Sequence, residues 1–162
     1  MNNQWLTGPI DNLRDTLARV AEFQRFVGVT SFDAARARIH KHQSDDHDAQ
    51  DNLIDPMPRA TIGSNGGRTR TKRSTTGWIT SGGGLFLLLE RDFATNIKDG
   101  DAVDSFLRDV ESILDGLERI AGTDINLNLI AIAEATPALV GNEDYNGGQP
   151  FVWQEFDLTA VG

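Results

Sequence analysis

Gly82-Gly-Gly-Leu85-Phe-Leu-Leu-Leu89, followed by Asp101-Ala-Val103-Asp-Ser-Phe106-Leu107-Arg-Asp-Val110-Glu-Ser-Ile113-Leu114-Asp-Gly-Leu117-Glu-Arg-Ile120-Ala121, decides the fold of this chain. The first piece is a short, unbroken apolar run behind a glycine triplet, which reads as a strand. The second places apolar residues every three or four positions, which reads as a long helix. Ile125-Asn-Leu127-Asn-Leu129-Ile-Ala131 then alternates, and Phe151-Val-Trp-Gln-Glu-Phe-Asp-Leu158 forms a last strand. A period that switches from two to 3.6 and back marks a sheet with a crossover helix packed on it. The expected class is α+β: a mixed or antiparallel sheet of about five strands, one long helix on it, and an N-terminal helical segment.

The strand from Leu85 to Phe93 is apolar on both faces of its alternation, so it belongs at the centre of the sheet with both faces covered. The long helix covers one face. The other falls either to the first helix or to another subunit, and the second option would make the protein an obligate oligomer.

Outward from this centre, Pro9 suits a first helical position, and Ile10, Leu13, Leu17, Val20 and Ala21 stripe a helix from Ile10 to Phe26. Gly28 ends it as a left-handed cap, and Ser31 caps a second helix over Phe32 to His40. Gln43 to Asp55 is polar and without period, hence loop, closed by Pro56 and Pro58. Arg59 to Ile62, the turn signal Asn65-Gly66-Gly67, and Thr69 to Ile79 read as a hairpin. Asp101 is the expected cap of the long helix. A long loop, Gly141 to Pro150, joins the last two strands. One domain over 1–162 is expected: helices to residue 42, an acidic loop over 43–58, and sheet plus long helix over 59–162.

The formal charge of −9 is unevenly placed. After Arg119 there is no lysine or arginine, and six carboxylates follow. Gln43 to Pro58 holds five aspartates and no lysine or arginine, whereas Arg59 to Arg73 holds five cations and no acid. Such segregation suits a protein that docks a basic segment on an acidic surface of a neighbouring copy. Arg68, Arg70, Lys72 and Arg73, with the tryptophans Trp78 and Trp153, are therefore the candidate protein-interface residues. The alternating Arg68-Thr-Arg70-Thr-Lys72 also reads as the wet face of a strand or as a charged edge that discourages aggregation, or as a phosphate-contacting surface. The acidic remainder and the single nearby stacking residue, Trp78, weigh against nucleic acid.

Covalent chemistry finds little purchase. There are no cysteines, so thiolate metal sites and disulfides are excluded. His40, His42 and His47 with Asp45, Asp46 and Asp48 have metal-ligand types, but the spacing matches no rigid site. In a calcium loop starting at Asp46 the required glycine is Asp51 and the twelfth position is Met57. No phosphate-binding glycine loop and no nucleophile elbow occur. No enzyme activity, metal or cofactor is expected, and neither a membrane span nor a secretion signal is read.

The order of elements resembles a known group. A helical N-terminal segment leads into a hairpin with a long polar tip, a third strand, one long helix and two final strands, the last of them Phe151 to Leu158. This pattern is similar to the tail-terminator (tail-completion) and neck proteins of long-tailed bacteriophages and phage-like particles. The resemblance implies a virion subunit, made in the host cytoplasm, that assembles into a homo-oligomeric ring, commonly a hexamer. Such a ring caps the tail tube, joins it to the neck or connector proteins, and passes the genome DNA through its channel without specific binding. A head-tail adaptor or other neck subunit, and a non-phage module binding nucleic acid through the basic hairpin, are the alternatives.

Overall fold

A computed structural model describes residues 6–42, 56–67, 69–73, 77–81, 84–123, 128–141 and 143–161, with backbone only at 69–73, 77–81, 128, 143 and 161. Helices α1 (Gly8–Arg19), α2 (Ala21–Phe26) and α3 (Phe32–Ala37) precede strands β1 (Ile39–Lys41), β2 (Arg59–Gly66), β3 (Thr69–Arg73), β4 (Gly77–Ser81) and β5 (Gly84–Asp92). The long helix α4 (Asp99–Ala121) follows, then β6 (Asn128–Glu134), β7 (Leu139–Val140), a 3-10 turn at Glu143–Asn146, and β8 (Phe151–Val161). The fold is α+β with a mixed sheet. Its six strands run β1-β2-β5-β8-β6, with β7 also on β8, and a separate ribbon pairs β3 with β4. Among the described strands only β1–β2 is parallel; the other ladders are antiparallel.

Strand β5 is central, as its two-sided apolar pattern predicts. Since β5 and β6 both run antiparallel to β8, they are parallel to each other, and β5-α4-β6 is a crossover with β8 inserted between its strands. The stripe Phe106, Val110, Ile113 and Leu117 is buried, with Val103 partly so. It packs above Leu85, Leu87, Leu89, Phe156 and Leu158 in one continuous core.

Several expectations are corrected. The first helix does not cover the opposite face of the sheet. Ile10, Leu13 and Leu17 share the α4 core with Ala60 and Ile62, so the four described α-helices pack on one face. Nor is that helix continuous. Val20 is extended (φ −72°, ψ 115°) and fully buried, and Gln24 Nε2 bonds the freed Ala18 carbonyl at 2.9 Å. The break turns α2 so that Phe23 stacks with Phe26, and Phe26 meets Phe106 edge-on at 6.1 Å. Ser31 does cap α3, accepting from the Ala34 amide at 3.2 Å, and Gly28 does take φ +73°. But α3 stops at Ala37, and residues 39–41 become a strand because Ile39 fills the core beside Ala60. Asp101 lies inside the first turn of α4, whose cap residue is Lys98.

The hairpin is also differently paired. Strand β2 pairs with β5, and the signal Asn65-Gly66-Gly67 does not make the turn: Asn65 is the extra residue of a bulge between Ser64 and Gly66. Beyond it, Gly66 stands opposite Gly84 and Thr69 opposite Ser81, three residues on along each strand. The register is therefore the same on both sides of the glycine-rich junction, and the separate β3–β4 ribbon forms an arm in register with the β2–β5 pair. The segment read as one strand to Ile79 divides at 74–76, outside the described residues.

An ion pair joins the start of α2 to the end of α4: Arg119 Nη2 lies 3.2 Å from Glu22 Oε1. The hydrogen bond from its own backbone amide, then those of the Arg119 guanidinium, hold the Glu22 carboxyl below its ordinary 4.5. A depressed folded-state value stabilises above 4.5 and is lost as pH falls through it. Glu22→Gln is accordingly expected to be less stable than wild type at pH 7, with a smaller gap at pH 3. Urea midpoints at both pH values test this, and an equal gap at both would refute the electrostatic origin.

Candidate functional site

Three surfaces emerge from this architecture. The first is the arm. Its base is fixed by Asn65, whose Nδ2 reaches across to Asp157 Oδ1 on β8 at 2.7 Å. That path exists because residue 84 is glycine: a Cβ there would lie 1.4 Å from Asn65 Oδ1. Gly66 itself takes φ +89°, closed to most side chains. Past this junction the ribbon β3–β4 pairs with no other described strand, and its five residue pairs extend about 17 Å. Arg70, Lys72 and Arg73 lie on β3, Lys72 stands opposite Trp78 of β4, and Arg68 lies outside the described residues.

Arg59 does not belong with these cations. It starts β2 on the face without helices, is 1% exposed, and donates from Nε to Glu90 Oε1 at 3.0 Å and from Nη2 to the Tyr145 hydroxyl at 2.7 Å. Glu90 is 4% exposed. The pair sits directly across the β2–β5 ladder. Beside it, Leu88, Tyr145, Phe151, Trp153 and Glu155 line an open groove of about 560 Å³. Trp153 is thus a half-buried member of this second surface, opposite Glu90 and Leu139, and the structure does not bring it to the arm.

The third surface lies between α4 and the edge strand β6, on the helical side. Leu107, Val110, Leu114, Ile132 and Phe156 form its apolar walls, with Glu111, Asp115, Glu118 and Glu134 along it, in about 420 Å³. Of the predicted helical stripe, Leu107 is exposed and faces this groove, while half-buried Leu114 both lines the groove and packs against the core. Gln154, 1% exposed, lines it too. Its Nε2 donates to Glu134 Oε2 (3.3 Å) and the Thr136 carbonyl (3.1 Å), while its Oε1 has no hydrogen-bond partner.

Glu90, Tyr145, Glu134 and Gln154 were not singled out by sequence reasoning. Two carried a signal: Glu90 directly follows an apolar run, and Gln154 occupies an inward position of a strand. Among the described residues no three His, Cys, Asp or Glu side chains gather as metal ligands, and no helix is long and apolar enough to cross a membrane. His47 and the aspartates of 43–55 lie outside the described residues. No protein-family profile matches the chain, and no curated protein matches it significantly.

Proposed function

We propose that the protein is a structural subunit of a virion ring at the head-tail junction, commonly hexameric, which caps the tail tube and contacts neck or connector proteins. The observation that carries this reading is the β3–β4 arm: it is in register with the β2–β5 pair, pairs with no other described strand and carries the basic sequence. A two-stranded ribbon outside the main sheet gains little from its own subunit. It is stabilised by a partner. The carboxylates of the α4–β6 groove give that partner surface the opposite charge. In a closed ring each copy offers both surfaces, so one contact repeats until the circle shuts. Genome DNA passes the channel without specific binding, because few phosphates are neutralised.

The placement of Lys72 opposite Trp78 favours one second reading, a ribbon that enters a nucleic-acid groove and combines cations with a stacking ring. Arg70→Glu with Lys72→Glu separates the two. The ring reading expects native mass to shift from the ring toward the monomer, with an unchanged circular-dichroism spectrum. A variant that assembles normally, beside a wild type that binds duplex DNA tightly at physiological salt, would replace the ring reading with the nucleic-acid one.

A further inference from the structure

We infer that the α4–β6 groove receives the basic β3–β4 arm of a second copy of this chain, with β3 adding to the outer edge of β6 and Arg70 and Lys72 entering among the groove carboxylates. The inference rests on the ring reading above and assigns it a receiving surface.

Four observations meet at this place. Strand β6 pairs only with β8 among the described strands, so no described strand covers its outer edge, a template for strand addition. Ile130, the extra residue of a bulge between Leu129 and Ala131, is 59% exposed, and the strand carries no lysine, arginine or proline. The strand is also long enough: its seven residues span about 23 Å, against about 17 Å for the five of β3.

Charge and spacing agree with this fit. Glu111, Asp115 and Glu118 recur at four- and three-residue steps, which sets them in one row on α4, facing Glu134 of β6. Residues four apart on a helix are separated by about 6 Å along its axis. Arg70 and Lys72, two apart on a strand, are about 6.8 Å apart and share one side of it. Two successive cations of β3 thus match two successive carboxylates of α4. No cation of the subunit's described residues lines the groove.

The fourth observation is Gln154. A buried amide oxygen without a donor is costly and calls for an explanation. An entering guanidinium or ammonium group supplies the missing donor. Apolar contact from Leu107, Leu114, Ile132 and Ile130 provides most of the affinity, and the ion pairs set partner and register.

The test uses the full chain and a charge swap. Asp115→Lys with Glu118→Lys alters two exposed residues, so the fold should persist by circular dichroism. This variant and the Arg70→Glu, Lys72→Glu variant are each expected to raise the protein concentration for half-assembly at least tenfold. Combining all four changes should restore much of the assembly, because the opposite charges meet again. Hydrogen exchange supplies a second readout: amides of 128–134 should be protected in the wild-type ring and exposed in the Arg70→Glu, Lys72→Glu monomer. Rings that form normally with Asp115→Lys and Glu118→Lys, with fast exchange in β6, would overturn the receiving surface and leave the ring reading standing. A wild type that stays monomeric at every concentration would overturn both.

Discussion

Replacing Glu90 with alanine is expected to cost about 3–5 kcal/mol of stability, more than any surface substitution in this protein. Glu90 and Arg59 face each other across the β2–β5 ladder at 3.0 Å, and neither is more than 4% exposed. A guanidinium keeps its charge at any workable pH, so Glu90→Ala cannot be relieved by deprotonation of Arg59. The Tyr145 hydroxyl, at 2.7 Å, offers a dipole where a full charge was lost. Denaturant unfolding measures the effect directly. The contrast is with the double replacement Arg59→Leu, Glu90→Leu, which removes both charges and should cost clearly less than the single changes add up to. A loss below about 1 kcal/mol for Glu90→Ala would mean that water reaches the pair in solution.

This pair also changes how the charge pattern is understood. Counted along the chain, Arg59 opens a run of five cations. In space it is neutralised at the base of the sheet, and the basic character that remains belongs to the distal arm. Sequence order groups residues that folding separates, and here the separation makes the arm a discrete feature. The acidic side is regrouped as well: Glu134 from the C-terminal third joins Glu111, Asp115 and Glu118 of α4 along one groove.

What was legible in the sequence depended on how far a local pattern had to reach. The central place of β5 follows from its own two-sided apolar run, and the facing of α4 from its own period. The Ser31 cap is likewise a local bond. The break at Val20 was hidden because Leu13, Leu17 and Val20 keep helical spacing through it, and because the bond from Gln24 that satisfies Ala18 is six residues long. Strand β1 is three residues, too short to show a period. Asn65-Gly66-Gly67 is a strong turn signal in isolation. It loses to the burial gained when Ala60 and Ile62 pair with Leu89 and Leu87. The groove is assembled from α4, β6 and β8, so no single stretch could announce it.

Leu117→Ala is expected to destabilise by about 2–5 kcal/mol, the transfer cost of the deleted methylenes plus the cost of the cavity left behind. Leu117 is fully buried on the core face of α4, in the row of Phe106, Val110 and Ile113 above the central strands. Its neighbours are held from two sides. Below, β5 is fixed by ladders to both β2 and β8. Above, Glu22 and Arg119 tie α2 to the last turns of α4, and Val20 packs into the same core. A site braced in this way collapses little around a deletion, which places the expected loss in the upper part of the range. Leu107→Ala is the matched control: the residue is on the same helix, 40% exposed, and turned to the groove. It should change monomer stability by about 0.5 kcal/mol or less while weakening assembly, if the arm of a neighbour covers it. Equilibrium unfolding of both variants, with native mass of the second, separates the two faces of α4. Similar losses of stability for Leu117→Ala and Leu107→Ala would mean that the helix faces the sheet differently.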